Sequence, residues 1–238
     1  MNSINQLGIS TAQQTQNNIQ SPISKISSVT TYEKTIGTEN AQPRAQTQVS
    51  SLSRQLSDAA NRATRRDASN SRDGLATIAL STVDKLLGGS YQTNKAAHDA
   101  EVPASDDPQR LAQANQATEF SNGKSVNPFK GISRDQLALI TYDDSDSFTI
   151  NERRAAWLES YDQEQAWKLH IIAIMNSEYE QKGKVSSDTH KEILDHYKSL
   201  PAIEEAQLPK GYKTQLQSLI QQTDNGESSQ HKYELKQL

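Results

Sequence analysis

Residues 150–182 contain neither Pro nor Gly, and they are flanked by Thr149 and Gly183. No strand runs that long, whereas a helix of about 30 residues would be roughly 45 Å long and would cross a whole small domain. Thr149 followed by Glu152 has capping-box spacing, so this helix should begin near Ile150. Leu158, Tyr161, Trp167, Leu169, Ile172, Met175 and Tyr179 recur at roughly helical spacing, and His170 to Met175 is nearly continuous apolar surface. That pattern predicts a second half buried on more than one side. Upstream, Ser133 and Gln136 repeat the capping-box pattern, and Leu137, Leu139 and Ile140 supply an apolar side. The turn formers from Tyr142 to Ser147 then stop that helix. Residues 133–183 therefore read as a short helix, an acidic loop and one long helix carrying both tryptophans.

Only 33% of the 238 residues are apolar, and the mean hydropathy is −0.81, so the core must come from a subset of the chain. Residues 1–48 are dominated by Gln, Ser, Thr and Asn and bury too little to offset their conformational entropy. They read as a disordered leader. It is either a solvated tail or a segment resembling the uncleaved export signals of bacterial type III substrates.

The remainder predicts an all-α bundle in two helical regions, 49–122 and 123–222, with a polar tail over 223–238. Leu52, Leu56, Ala59, Ala60 and Ala63 share one helical side, with Ser51 a possible cap. Arg62, Arg65, Arg66 and Arg72 follow, interleaved with Asp58, Asp67 and Asp73, as expected of a solvated, charge-mixed face. Ser71 can cap a helix bearing Leu75, Ile78, Ala79, Val83, Leu86 and Leu87, which Gly88-Gly89 should end in a left-handed stop. A further turn or two is expected over 91–101. Asp107-Pro108 starts another helix, carrying Leu111, Ala114, Ala117 and Phe120 up to Asn122-Gly123. Beyond Gly183, Ser187 can cap a helix with Ile193, Leu194, Tyr197 and Leu200, ended by Pro201. A short helix over 203–207 and a last one with Tyr212, Leu216, Leu219 and Ile220 complete the bundle.

Several function classes are disfavoured. The absence of cysteine removes disulfides and thiolate-based zinc or nucleophile chemistry. A net charge of −4 gives no global attraction to nucleic acid or to an anionic membrane. Nothing approaches the ~18 consecutive apolar residues of a membrane span, and no basic segment followed by an apolar one marks a cleaved secretory signal.

The loop 142–150 has the outline of an EF-hand. With Ile150 at the apolar eighth position, Asp143, Ser145, Ser147 and Asn151 fall first, third, fifth and ninth and could offer oxygens to Ca²⁺. Phe148 stands where the turn wants Gly, however, and Arg154 where a bidentate Glu should close the shell. The competing expectation is a structural loop with Phe148 and Ile150 plugging the core. Asp143, Asp144, Asp146 and Glu152 read as an exposed, solvated stretch, and no catalytic constellation is visible. The five histidines lack metal-ligand spacing. Trp157 and Trp167 are about 80° apart on the helix, so one should fill the bundle while the other flanks it; either could anchor a protein partner.

YDDSDSFTINERRAAWLESYDQEQAW (142–167), preceded by NPFKGISRDQLALI (127–140), resembles a family of uncharacterised helical proteins of Gram-negative bacteria. KAAHDAEVPASDDPQRLAQANQAT (95–118) and LPAIEEAQLPKGY (200–212) are similar to it as well. The resemblance implies a bacterial origin and a helical domain behind a variable leader, and it transfers no catalytic residue. The expected protein is thus a non-enzymatic interaction protein with partner contacts on 133–182. It would reside in the bacterial cytoplasm or be secreted by a signal-peptide-independent route. The alternatives are a calcium-responsive helix-loop-helix module, or an enzyme whose site would show as His170 or an acidic pair in a deep polar pocket.

Overall fold

A computed structural model of the chain describes residues 50–225; the expected leader over 1–48 and the tail beyond residue 225 lie outside the described residues. All regular structure among the described residues is helical. The fold is all-α and built around one long helix.

Local capping explains most boundaries. α1 (Ser51–Ser69) is capped by Ser50, whose hydroxyl accepts from the Ser53 amide, one residue before the expected Ser51. α2 (Arg72–Leu87) starts at Ser71 as expected, accepting from the Gly74 amide. Its end differs from expectation. Gly88 has φ −71° and ψ −177°, which is extended rather than left-handed. What requires glycine there is contact: a Cβ would lie 2.4 Å from both the carbonyl oxygen and a carboxylate oxygen of Asp84. Gly89 then opens α3 (Gly89–Thr93), followed by α4 (Lys95–Asp99). α5 (Pro108–Ser121) begins under Asp107, which accepts from the Gln109 amide.

Ser133 caps α6 (Arg134–Thr141) with half of a capping box, accepting from the Gln136 amide. The complete box stands at α7 (Ile150–Lys182), where Thr149 and Glu152 satisfy each other's backbone N–H groups. α7 stops at Gly183, whose φ of 69° is left-handed. α8 (Ser187–Lys198) is capped by Ser186, again one residue ahead of the expected Ser187. α9 (Ala202–Glu205) and α10 (Tyr212–Asp224) complete the order.

Helices from 49–122 and 123–222 share cores. Ala59 and Ala117 pack with Phe129, Leu137, Ile140, Phe148, Ala155 and Ala156 in one cluster, and Leu75 and Ala79 pack with Ala138, Tyr142 and Ile203 in another. A third cluster joins Ile171 and Met175 to Val185, Ile193, Leu194, Tyr197 and Leu216. Ala155 and Ala156 are fully buried where α7 meets its neighbours, because small side chains let helices approach closely.

The burial of α7 is the reverse of the expectation. Its first three turns, to Ser160, are enclosed, burying even Asn151, Glu152, Arg153 and Glu159. Its second half buries one side only. Ile171 and Met175 face the third cluster, while Leu169, Ile172 and Tyr179 are exposed.

Candidate functional site

The acidic loop between α6 and α7 is held by arginines. Arg62 of α1 donates from Nε to Asp143 Oδ1 at 3.0 Å, pairs through Nη2 with Oδ2, and donates to Ser147 Oγ at 3.1 Å. Burial alone would push the Asp143 carboxyl up, but Arg62 and Ser145 hold it below the ordinary range. Arg66 donates to the Tyr142 carbonyl at 3.2 Å, and Arg72 caps the carbonyl oxygens of Glu205 and Leu208 at 3.3 and 2.5 Å. The expected solvated face is therefore corrected: Arg62, Arg66 and Arg72 are clamps between distant segments, and Arg65 alone of the four is exposed.

The expected exposure of the acids is corrected too. Asp143 is 6% exposed and Glu152 0%, while Asp144 and Asp146 do face solvent. Of the four candidate calcium ligands, Asp143, Ser145 and Ser147 share the loop, but their oxygens gather around the Arg62 guanidinium or one another. Asn151 turns away: its Oδ1 accepts from Tyr91 Oη at 2.7 Å, and its Nδ2 donates to the His98 carbonyl, Asp99 and Thr118. A guanidinium thus stands where the loop would offer oxygens to a cation. Among the described residues no group of three or more His, Asp or Glu side chains is placed to hold a metal ion. Phe148 is buried at 3% exposure and Ile150 half-buried.

A second charged cluster was not legible in the sequence. Arg134 of α6 donates from Nε to Glu204 of α9 at 2.7 Å and pairs through Nη1 with Glu164 of α7. Glu164 also meets His196 Nε2 at 2.9 Å, Tyr197 Oη at 3.4 Å and Lys168 Nζ at 3.7 Å. Arg134, Glu164, Glu204, Lys168 and Tyr197 border a cleft of about 200 Å³ between α6, α7, α8 and α9, whose other walls include Tyr142, Trp157, Tyr161, Leu200 and Leu208. One guanidinium serves two carboxylates there, and their environments separate them. Burial would raise Glu164, but His196 and Arg134 bring it down to about 2. Burial raises Glu204, and the negative charge of Glu164 adds to that against the pull of Arg134. Burial and the Glu204 charge push the Tyr142 phenol up to about 12, and burial and Glu164 raise Tyr197.

Chemically the two acids differ: Glu164 is held ionised, while Glu204 is shifted towards keeping its proton. Glu164 is too acidic to serve as a base near neutral pH, and the adjoining phenols are shifted away from ionisation. The acidic pair borders an open cleft whose exposed lining is mainly apolar rather than a deep polar pocket, and His170 is exposed on the outside of α7.

Both tryptophans are half-buried, so neither fills the bundle as one of them was expected to. Trp157 stacks on Tyr161, centroids 5.3 Å apart, at the border of the cleft. Trp167 lies flat on His196 at 3.6 Å, meets the edge of Tyr197 and packs against the third cluster. No described helix is long and apolar enough to cross a membrane. No family model, curated protein or solved structure matches the chain.

Proposed function

We propose that this chain is a non-enzymatic interaction protein that engages a protein partner along the outward side of α7. One observation carries this reading. Seven large hydrophobic residues are exposed among the described residues, and four of them, Tyr161, Leu169, Ile172 and Tyr179, lie on α7 at 45, 68, 36 and 62% exposure. At 100° per residue they fall within about 80° of one another, so they form a single stripe rather than scattered side chains. Trp157 extends the stripe by stacking on Tyr161, whereas Trp167 is occupied with packing.

A photo-crosslinking residue placed at Leu169 or Tyr179 in the full chain tests this, with Leu80, exposed at 67% on α2, as control. A discrete adduct at 169 and 179 that is missing at 80 is the expected result. Equal labelling at all three positions overturns the reading. Leu169→Asp should abolish the adduct at 179 without lowering the melting temperature.

The partner's location follows from the resemblances of the sequence. A bacterial chain whose residues 1–48 resemble uncleaved export signals would meet its partner outside the producing cell. Fractionation of a bacterium expressing the tagged chain with and without residues 1–48, with a cytosolic marker for lysis, decides it. Retention of both in the cytosol ends the export reading and leaves the partner inside the bacterium.

A further inference from the structure

We propose that the cleft between α6, α7, α8 and α9 is a recognition site for an organic cation, an alkylated ammonium or a guanidinium head. Such a group is carried by a lysine or arginine side chain of another protein, or by a free quaternary amine. The proposal needs no contact with Leu169, Ile172 or Tyr179 of the α7 stripe and stands or falls separately from it, although Trp157 and Tyr161 belong to both surfaces.

Three features of the cleft fit that chemistry. Its walls are aromatic: the parallel pair Trp157 and Tyr161 forms one border, and the nearly buried Tyr142 and Tyr197 contribute two phenol rings. Ring faces carry partial negative charge and attract a desolvated cation, which is how quaternary ammonium groups are held in aromatic cages.

The acids behind those rings are unequally neutralised: Glu164 is met by Arg134, His196 and Lys168, which leaves Glu204 as the acid with spare capacity. Glu164 and Glu204 share Arg134, and Glu204, 9% exposed, accepts a hydrogen bond from Arg134 through Oε2 alone among the described residues. Its Oε1 remains available to a donor. A cationic donor entering the cleft can reach that free oxygen of Glu204, whose only partner among the described residues is Arg134 on Oε2.

Size is the third feature. A volume of about 200 Å³ falls below that of an ordinary drug-sized pocket and suits a compact head group on a chain that extends into solvent.

The test uses the full chain carrying Trp167→Phe, so that Trp157 beside the cleft is the sole indole reporter. Its fluorescence is followed during titration with tetramethylammonium, with the N-acetyl amides of lysine, trimethyl-lysine and arginine, and with neutral 2,2-dimethylpropanol as an uncharged analogue of similar shape. A saturable response to the cations and none to the neutral analogue is expected. Glu204→Gln should weaken it by about tenfold, the loss of one favourable charge contact of roughly 1.4 kcal/mol. Tyr161→Ala, at an exposed position, should weaken binding as well while leaving the melting temperature in place, so the proposal stays testable if Glu204→Gln folds poorly. Tighter binding of the amino-acid amides than of tetramethylammonium identifies a protein side chain as the source, and the reverse order identifies a free amine. A neutral analogue that matches the cations, a response that does not saturate, or binding unaffected by both substitutions overturns the proposal.

Discussion

Arg110 of α5 grips Glu152 in the first turn of α7 through two parallel bonds, Nη1 to Oε1 at 2.6 Å and Nη2 to Oε2 at 2.7 Å, with both side chains almost wholly out of solvent. The same carboxylate accepts from Gln113 Nε2 and from the Thr149 amide, and Arg110 donates also to the Ser147 carbonyl. One ion pair thereby ties α5, the acidic loop and the start of the long helix together. Removing one member strands a buried charge, which costs about 3–5 kcal/mol. Arg110→Met should lose that much in urea denaturation. Adding Glu152→Gln to it should recover part of the loss, because the neutral amide can still accept from the Thr149 amide. A double variant less stable than Arg110→Met alone would mean that the loop depends on the Glu152 charge itself.

The Arg134 cluster gives stability a two-signed dependence on pH. Glu164 is brought from an ordinary 4.5 down to about 2 in the folded state. Its contribution is present above the unfolded value and is lost as pH falls from about 4.5 towards 2, on the order of 3 kcal/mol in all. Glu204 is shifted the other way, so the folded state takes up its proton first. Neutralising it on mild acidification therefore raises stability before the loss at Glu164 sets in. Chemical denaturation across pH 3–7 should show a shallow maximum on the acid side of neutrality. Glu204→Gln should remove the rise and Glu164→Gln the steep fall, with each variant keeping the other limb.

The helices were legible because their signals are local. Ser71, Asp107 and Thr149 sit within three residues of the amides they satisfy, so pattern alone locates them. Adjacent serines defeat that logic by one residue at Ser50 and Ser186, where the neighbouring hydroxyl offers the same chemistry. The charged cleft was hidden for a different reason. Arg134, Glu164 and Glu204 lie on three helices, 30 and 70 residues apart in sequence, and each alone reads as an ordinary surface charge. Leu169 and Ile171 are equally apolar, and only the position of the third cluster decides that Ile171 is covered and Leu169 is not. Arg62 and Asp143, 81 residues apart, turn a calcium-like loop into a clamp that no spacing rule reveals.

That clamp makes a direct statement about calcium. For the ion to reach Asp143, the Arg62 guanidinium must leave a bidentate, largely buried carboxylate. Millimolar CaCl₂ should therefore leave the melting temperature of the unaltered chain unchanged in calorimetry. Arg62→Gln should melt lower, because Asp143 keeps its burial but loses its cation. A calcium-induced rise in the unaltered chain would show that Arg62 yields to the ion and would restore the loop as a binding site.

The two glycines after α2 separate contact from conformation. Gly88 has an ordinary negative φ, so backbone preference does not exclude alanine there. The obstacle is steric, since its Cβ would meet the Asp84 backbone oxygen at 2.4 Å, and a main-chain atom at the end of α2 cannot swing aside. Gly88→Ala should thus cost about 1–3 kcal/mol, as overpacking does, by forcing the α2–α3 corner open. Gly89 has no atom within 4 Å of where its Cβ would stand, and it lies in the first turn of α3. Gly89→Ala should be neutral or stabilising by up to about 1 kcal/mol through reduced freedom of the unfolded chain. Thermal melts of the two variants side by side check this. Equal losses would place the requirement in the backbone conformation of the corner rather than in the Asp84 contact.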